Sequence, residues 1–351
     1  MTQGYGSKLV ILVCLLHFTQ PIYSAPLSSY LVSSFTPPDA DSDLPFNHIT
    51  FNNITGDVYI GARERLYQLN TDLTPKHTID TGSCQPDKND IINTNNIRLL
   101  VVAPSPEDML ITCGGCDGFC ETRSLNNISH DVVRYDSSGT QYVVTRSDAP
   151  VVGAVVLSAD YQDDGVGTAD DGLYLFTGIS DATPNFPSIS KHNIDELTHG
   201  QRVTAPQASS PQNIFKHLIP FMENLYYLMS RGNSQKNAYL GRLCRNSLDE
   251  ALSSYTEILL QCGTYSEIQS GLIGEAGSQL ADSFSLESTD DLLYAVFGSD
   301  SSSALCIYKM SDVEQSFDGA AKGCSQSGDN RGTENNYLQG SSCNRVSVNV
   351  K

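Results

Sequence analysis

The stretch Gly56-Asp57-Val58-Tyr59-Ile60-Gly61 decides the fold, because its pattern of a polar turn followed by an apolar strand recurs along the chain. The first apolar strand residues of the five copies are Val58, Met109, Leu173, Leu225 and Leu293. Successive copies are therefore 51, 64, 52 and 68 residues apart. Repeats of about 40 to 50 residues or more, each with several short strands, are typical of propeller blades. The sequence therefore predicts an all-β protein.

Each repeat predicts a small antiparallel sheet with two apolar faces, which is stable only when neighbouring sheets cover it. Asp, Gly and Pro mark long loops between the strands, notably Asp160–Gly172 and Gly178–Asn193. Helical periodicity is confined to pieces such as Met310–Ala321, where Val313 and Phe317 lie four residues apart. We expect such helices to be short insertions.

Composition excludes some classes of partner. The chain has 351 residues, with 40 Asp and Glu against 21 Lys and Arg, so its net charge is -19. This charge repels phosphate backbones and anionic lipid headgroups. We therefore expect no nucleic-acid partner.

Residues 1–24 have the pattern of a secretory signal peptide. Lys8 precedes a short apolar core, Leu9–Leu16, and small Ser24 stands before a suitable cleavage bond. A transmembrane anchor would need about 18 to 20 apolar residues. We expect removal of residues 1–24, entry into the secretory pathway and a mature domain over residues 25–351. In that pathway Asn53 and Asn127, each in an Asn-x-Ser/Thr triplet, are candidate glycosylation sites.

The cysteines fit an oxidising compartment. Removal of Cys14 with the signal leaves nine, and this odd number means that at least one lacks a partner within the chain. The pair Cys113 and Cys116 has the spacing of a redox or zinc motif, but no second pair or nearby histidine completes four ligands. We expect disulfides and no metal.

Several motifs together resemble the sema domain of the plexin and semaphorin family. Residues Phe46–Leu69, which include Thr55-Gly56-Asp57-Val58-Tyr59-Ile60-Gly61-Ala62 and then Arg65-Leu66-Tyr67-Gln68-Leu69, resemble its first blade. Leu110–Gly114 with Gly118–Cys120 resembles the second. The second half of the chain resembles plexins more than semaphorins. The resemblance there lies in the spacing of five cysteines: Cys244, Cys262, Cys306, Cys324 and Cys343.

The resemblance implies a disulfide pattern. Three pairs carry over directly, namely Cys113–Cys120, Cys262–Cys306 and Cys324–Cys343. In plexins the partner of Cys244 would lie beyond the end of this chain. The plexin partner of Cys84 has no counterpart before Cys113, so Cys84–Cys116 is the available substitute.

The resemblance also implies a seven-bladed β-propeller in which a strand near the N-terminus, here Tyr30–Phe35, completes the last blade. Only about five blades are visible in the sequence, so we expect a sema domain that is incomplete at its C-terminus. An open ring would leave strand edges and an apolar terminal face uncovered.

Catalytic patterns are lacking in the sequence. It contains no Gly-x-Ser-x-Gly elbow, no His-Glu-x-x-His helix and no phosphate loop, so we expect no enzyme, no catalytic residue and no cofactor. Two acidic runs, Asp39–Asp43 and Asp160–Asp171, have some character of a calcium loop. The first lacks the required glycine and glutamate, and the second fits a hydrated loop better.

The remaining interpretation is a binding surface on a rigid scaffold. The resemblance implies an extracellular, ligand-binding domain of a plexin-like receptor whose partner is the sema domain of a semaphorin. The alternative is a secreted semaphorin-like ligand or decoy. Loops Asp160–Gly172 and Gly178–Asn193 are the candidate contact regions, without individual residues assigned. Homodimer formation stays open, and membrane attachment would require an anchor beyond Lys351.

Overall fold

The computed structural model describes residues 32–37, 45–82, 95–103, 108–114, 120–135, 143–144, 149–157, 173–180, 187–194, 200–204, 213–232, 236–245, 254–298 and 302–327. These residues form five separate antiparallel sheets, each built from strands that follow one another in the chain. The all-β class is therefore confirmed. The expected signal peptide over residues 1–24 lies outside the described residues.

Four sheets have four strands and the fifth has three in the described part of the chain. Sheet 1 contains β1 (Phe46–Phe51), β2 (Val58–Ala62), β3 (Arg65–Leu69) and β4 (Pro75–Asp80). Sheet 2 contains β5 (Ile97–Ala103), β6 (Met109–Gly114), β7 (Cys120–Ser124) and β8 (Val133–Tyr135). Sheet 3 contains β9 (Val151–Leu157), β10 (Leu173–Ile179), β11 (Pro187–Asn193) and β12 (Gly200–Thr204).

Sheet 4 contains β13 (Asn213–Phe221), β14 (Asn224–Arg231), β15 (Asn237–Cys244) and β16 (Thr256–Leu260). Sheet 5 contains β17 (Ile268–Glu275), β18 (Asp291–Gly298) and β19 (Ser303–Lys309). Helix α1 (Gly277–Phe284) lies between β17 and β18, and α2 (Met310–Ser327) follows β19. Each copy of the sequence repeat falls on the second strand of its sheet, namely β2, β6, β10, β14 and β18.

The sheets stack in chain order through their first strands. Strand β5 contacts β1 and β2, β9 contacts β5, β13 contacts β9 and β10, and β17 contacts β13 and β14. Apolar side chains from both faces of the second strands fill the spaces between sheets. In β10, for example, Leu175 packs in the cluster shared with sheet 2, while Tyr174 and Phe176 pack in the cluster shared with sheet 4. Because both faces of such a strand are buried, its copy of the sequence repeat is a continuous run of apolar residues.

Two expectations about local structure are corrected. Residues 32–35 of the expected strand Tyr30–Phe35 are not in a strand; instead the Phe35 ring stacks on Phe46 at 5.8 Å and meets the edge of Tyr67 at 5.3 Å. These aromatic contacts cover part of the outer face of sheet 1. The expected loop Gly178–Asn193 is largely strand, because its two ends pair as β10 and β11, with Gly178 opposite Ile189 and Tyr174 opposite Asn193.

The helix expected over Met310–Ala321 is confirmed and extends to Ser327. Its buried side chains Met310, Val313, Phe317 and Ala320 follow the helical period, and the first three pack against the cluster between sheets 4 and 5. Helix α1 was not predicted.

Candidate interaction surfaces

The two candidate contact loops leave β10 at opposite ends of sheet 3. Leu173 pairs with Leu157 where β9 and β10 are joined, whereas Gly178 pairs with Ile189 where β10 passes to β11. Residues 158–172, which include the acidic run, and residues 181–186 lie outside the described residues. The two segments therefore join β10 at opposite ends of a strand of seven residues.

A chain of polar side chains lies inside sheet 3. Ser190 Oγ is 2.6 Å from Thr177 Oγ1 and 2.8 Å from His192 Nε2. A serine beside a histidine is the arrangement of an activated nucleophile. However, all three residues are at most 1% exposed, so a substrate has no access to the serine. We interpret the chain as a means of satisfying buried polar groups.

Burial also determines the protonation of this histidine. Desolvation lowers the pKa of His192 to about 4, since the imidazolium form is disfavoured away from water. Nδ1 of His192 has no hydrogen-bond partner among the described residues. His192 is therefore neutral at physiological pH.

Polar contacts join neighbouring sheets at regular positions. The Ser180 hydroxyl, just after β10, accepts a hydrogen bond of 2.9 Å from the backbone N–H of Phe215 in β13. Likewise, the Ser230 hydroxyl in β14 accepts one of 3.1 Å from the N–H of Ile268 in β17. Both serines are at most 1% exposed, so these bonds connect the ends of successive sheets in a dry environment.

Gln68 joins sheets 1 and 2. Its Nε2 donates to Asp57 Oδ2 at 2.8 Å and to the carbonyl of Leu125 at 2.8 Å, and its Oε1 accepts from the N–H of Ile128 at 3.3 Å. The Tyr59 hydroxyl donates to the same Leu125 carbonyl at 2.7 Å. Because Gln68 is 0% exposed, the loop after β7 is held to β3 by a fully buried amide.

Helix α2 is fixed to sheet 4 by charge and by packing. Glu314 accepts hydrogen bonds from Tyr226 and, at 2.5 Å, from Arg242 Nη1. The Arg242 guanidinium also lies 4.6 Å above the Phe317 ring. Burial and the neighbouring Glu314 carboxylate raise the pKa of Tyr226. The helix therefore covers part of sheet 4 and adds no separate lobe to the described structure.

Two of the expected disulfides are present. Cys113 is bonded to Cys120 across the paired strands β6 and β7, and Cys262 is bonded to Cys306. Cys244 is half-buried and forms no disulfide within the described part of the chain. The expected pairs Cys84–Cys116 and Cys324–Cys343 involve side chains outside the described residues.

Both ends of the stack have exposed apolar side chains. On the outer face of sheet 5, Leu272 is 56% and Leu305 is 55% exposed, and Ile307 and Val296 share that face in the strand register. On the outer face of sheet 1, Phe51 is 61% exposed. The three inner sheets have no such face in the part that the structure describes, because neighbours cover them.

Within the described ranges, no group of three or more His, Cys, Asp or Glu side chains is placed to hold a metal ion. Over the same ranges, no helix combines the length and apolarity needed to cross a membrane. The buried polar contacts described above join neighbouring sheets to one another.

Solved structures identify this scaffold as a sema-type fold. The Plexin A4 full extracellular region, with domains 1 to 8, matches 81% of this chain with a TM-score of 0.63 and 20% identity, and 36% of that chain is covered. Drosophila Semaphorin 1b, extracellular domains 1-2, matches 86% of this chain and is itself 57% covered, with a TM-score of 0.55 and 16% identity. At these identities the likeness concerns the fold.

Sequence comparison points to plexins. The family model described as Sema domain matches residues 269–348. Mouse Plexin-B2 is 25% identical over 317 residues, covering 81% of this chain and 16% of the relative. Human Plexin-A2 is 27% identical over 361 residues, covering 85% of this chain and 18% of the relative. The resemblance to a plexin-type sema domain is thus confirmed, while the chain spans less than a fifth of the length of these relatives.

Proposed function

We propose that this chain is the extracellular, ligand-binding sema domain of a plexin-like receptor, and that its partner is the sema domain of a semaphorin. The observation that carries the proposal is the match to Plexin-B2 along 81% of this chain. Recognition of a protein partner agrees with a scaffold of stacked sheets joined by buried polar contacts, since rigid elements present loops without a large loss of entropy on binding.

The proposal includes the route of the protein through the cell. The apolar segment within residues 1–24 directs the chain into the secretory pathway, and the domain works on the extracellular side of the plasma membrane or after secretion. The disulfides Cys113–Cys120 and Cys262–Cys306 support an oxidising compartment. Attachment to a membrane is proposed to occur through a segment outside this chain.

The proposal also includes further sheets in the working domain. A propeller of seven sheets would bury the outer faces of sheets 1 and 5 as the inner sheets are buried. The 56% exposure of Leu272 and the 61% exposure of Phe51 support such covering, because contiguous exposed apolar faces are unfavourable in a stable soluble domain. Residues 25–351 would then be one incomplete sema domain.

A binding experiment tests the function. Full-length chain from secretory expression is immobilised through a C-terminal tag, and semaphorin ectodomains from the same organism are passed over it. Two variants replace either residues 160–172 or residues 181–186 with Gly-Ser linkers of equal length. Since these segments join β10 at its opposite ends, each variant is the matched control of the other. We expect saturable binding by the native chain and at least about tenfold weaker binding in one loop variant only. Absence of saturable binding to every semaphorin would contradict the proposal.

The second candidate function is a secreted semaphorin-like ligand or decoy. It is favoured by the fold match to Semaphorin 1b over 86% of this chain. Probing the same immobilised chain with plexin ectodomains distinguishes the two, because a ligand would bind plexins in preference to semaphorins. A homodimer would appear as a doubled mass in light scattering of the purified chain.

A further inference from the structure

The two glycosylation triplets occupy very different environments. Asn53-Ile54-Thr55 forms the turn between β1 and β2, where all three residues are exposed and Ile54 is 76% exposed. Asn53 itself makes no hydrogen bond or ionic contact within the described part of the chain. An oligosaccharide on its side-chain nitrogen would therefore displace no contact of the folded protein.

The turn is held in shape by the residue before the triplet. Asn52 is buried, and its Oδ1 accepts hydrogen bonds from the N–H of Ile54 at 2.9 Å and of Thr55 at 3.4 Å. Its carbonyl accepts a further bond of 2.7 Å from Gly56, which has a positive φ of 76°. These contacts fix the turn from its buried side and leave Asn53 on the solvent side.

The triplet Asn127-Ile128-Ser129 is instead part of the joint between sheets 1 and 2. Ile128 is 0% exposed, and its backbone is bonded to Gln68 and to Arg123. The side-chain Oδ1 of Asn127 accepts a hydrogen bond of 3.0 Å from the N–H of Ser129. Asn127 is only partly exposed, so a bulky sugar there would compete with the packing of the joint.

Apolar side chains flank the exposed triplet. Phe51, two residues before Asn53, is 61% exposed, and Ile54 follows Asn53 directly. Phe51 also lies on the outer face of sheet 1, opposite Val58 in the strand register. A large hydrophilic group at Asn53 would shield Ile54, the exposed apolar side chain within the turn, from other chains.

We propose that Asn53 is the site of N-linked glycosylation in this protein, in preference to Asn127, and that the oligosaccharide covers Ile54. In the transfer step a bond forms between Asn53 Nδ2 and C1 of the first sugar. The bond from C1 to the diphosphate of a polyprenyl-linked donor breaks, and the amide nitrogen loses one proton. The proposal rests on entry into the secretory pathway, which is part of the proposed function.

Site occupancy is the first test. Full-length chain is expressed in animal cells as the native form and as the variants Asn53→Gln and Asn127→Gln, and is treated with peptide N-glycosidase in ¹⁸O water. We expect one glycan mass on the native chain and on Asn127→Gln, none on Asn53→Gln, and the ¹⁸O label at residue 53. Asn53→Gln is preferred to a change of Thr55, because Thr55 Oγ1 accepts a hydrogen bond from the N–H of Asp57. Occupancy of Asn127 equal to that of Asn53 would overturn the preference.

A second version of the chain, in which an established signal peptide replaces residues 1–24, is expressed in parallel. Failure of the native residues 1–24 to direct secretion would count against the proposed function. Glycosylation of Asn53 can still be measured in the second version, which is secreted independently of those residues. An unmodified Asn53 in secreted chain that contains the Cys262–Cys306 disulfide would overturn the inference.

Size-exclusion chromatography tests whether the oligosaccharide prevents association through the apolar side chain that it covers. We expect Asn53→Gln to lower the fraction of secreted monomer in size-exclusion chromatography several-fold. Adding Ile54→Ser, which removes the exposed apolar side chain beside residue 53, should restore it. An unchanged monomer fraction in Asn53→Gln would show that the sugar has no covering role.

Discussion

Arg231 and Glu257 form an ion pair inside sheet 4, with 2.6 Å between Nη2 of the arginine and Oε1 of the glutamate. Their side chains are 4% and 0% exposed. The same carboxylate oxygen accepts a hydrogen bond of 2.7 Å from the Tyr255 hydroxyl, and Arg231 Nε donates to Asn213 Oδ1 at 2.5 Å. This network connects β13, β14 and β16, so it fixes the relative positions of the first and last strands of the sheet.

We expect Glu257→Ala to lower the free energy of unfolding by about 3 to 5 kcal/mol, because it leaves the guanidinium of Arg231 buried without its carboxylate. Thermal unfolding followed by circular dichroism measures the effect. The matched control is Glu267→Ala, since Glu267 pairs with Lys236 where both side chains are in partial contact with water, and such a pair contributes about 0 to 1 kcal/mol. Equal losses in the two variants would contradict the role given to the buried pair.

The Gln68 amide gives a second prediction, about the joint between sheets 1 and 2. Gln68→Ala leaves the N–H of Ile128 without its hydrogen bond and removes one of two donors to the Asp57 carboxylate, the other being Lys76, so we expect a loss of about 2 kcal/mol. Backbone amides over residues 125–130 should exchange faster with deuterium than in the native chain. Gln315→Ala in α2, at an exposed position, serves as the control. Unchanged exchange in the 125–130 loop would rule out Gln68 as its anchor.

A third prediction concerns the bond between Cys262 and Cys306, which closes 44 residues of chain. Its loss in Cys306→Ser should destabilise the fold by about 4 kcal/mol through the greater entropy of the unfolded chain. The secreted yield should fall accordingly. Cys244→Ser is the control, because Cys244 has no disulfide among the described residues. A normal yield and melting temperature for Cys306→Ser would argue against a stabilising role.

The second strands of the three inner sheets could be predicted from the sequence because they are buried on both faces. In β10 all seven residues are buried, so an apolar run marks the strand without reference to the rest of the fold. The outer strand β4 gives no such signal, since Pro75-Lys76-His77-Thr78-Ile79-Asp80 is mostly exposed. Helix α1 was missed for the same reason: its only buried residue is Ala281, and Phe284 is 67% exposed.

The polar contacts could not be predicted, because they join residues that are distant in the sequence. Gln68 and Leu125 are 57 positions apart, and Tyr226 and Glu314 are 88 apart. Only the proximity of Ser190 and His192 could be predicted from the sequence, because residues two apart in a strand lie on the same face. Their burial, which makes the pair structural, depends on the neighbouring sheet and is not evident from the sequence.

Burial of His192 predicts a specific dependence of stability on pH. The folded-state pKa of about 4 lies below the ordinary value of 6.5, so the unfolded chain binds an extra proton between these values. The contribution of His192 to the free energy of unfolding is therefore fully present above pH 6.5. It decreases by about 3 kcal/mol in total as the pH falls towards 4. His192→Gln keeps a polar group near Ser190 but does not titrate, so its stability should fall less over this range. Comparing the two chains at each pH cancels the contribution of His48, whose pKa burial also lowers. Parallel curves of unfolding free energy against pH for the two chains would show that His192 does not titrate as its burial requires.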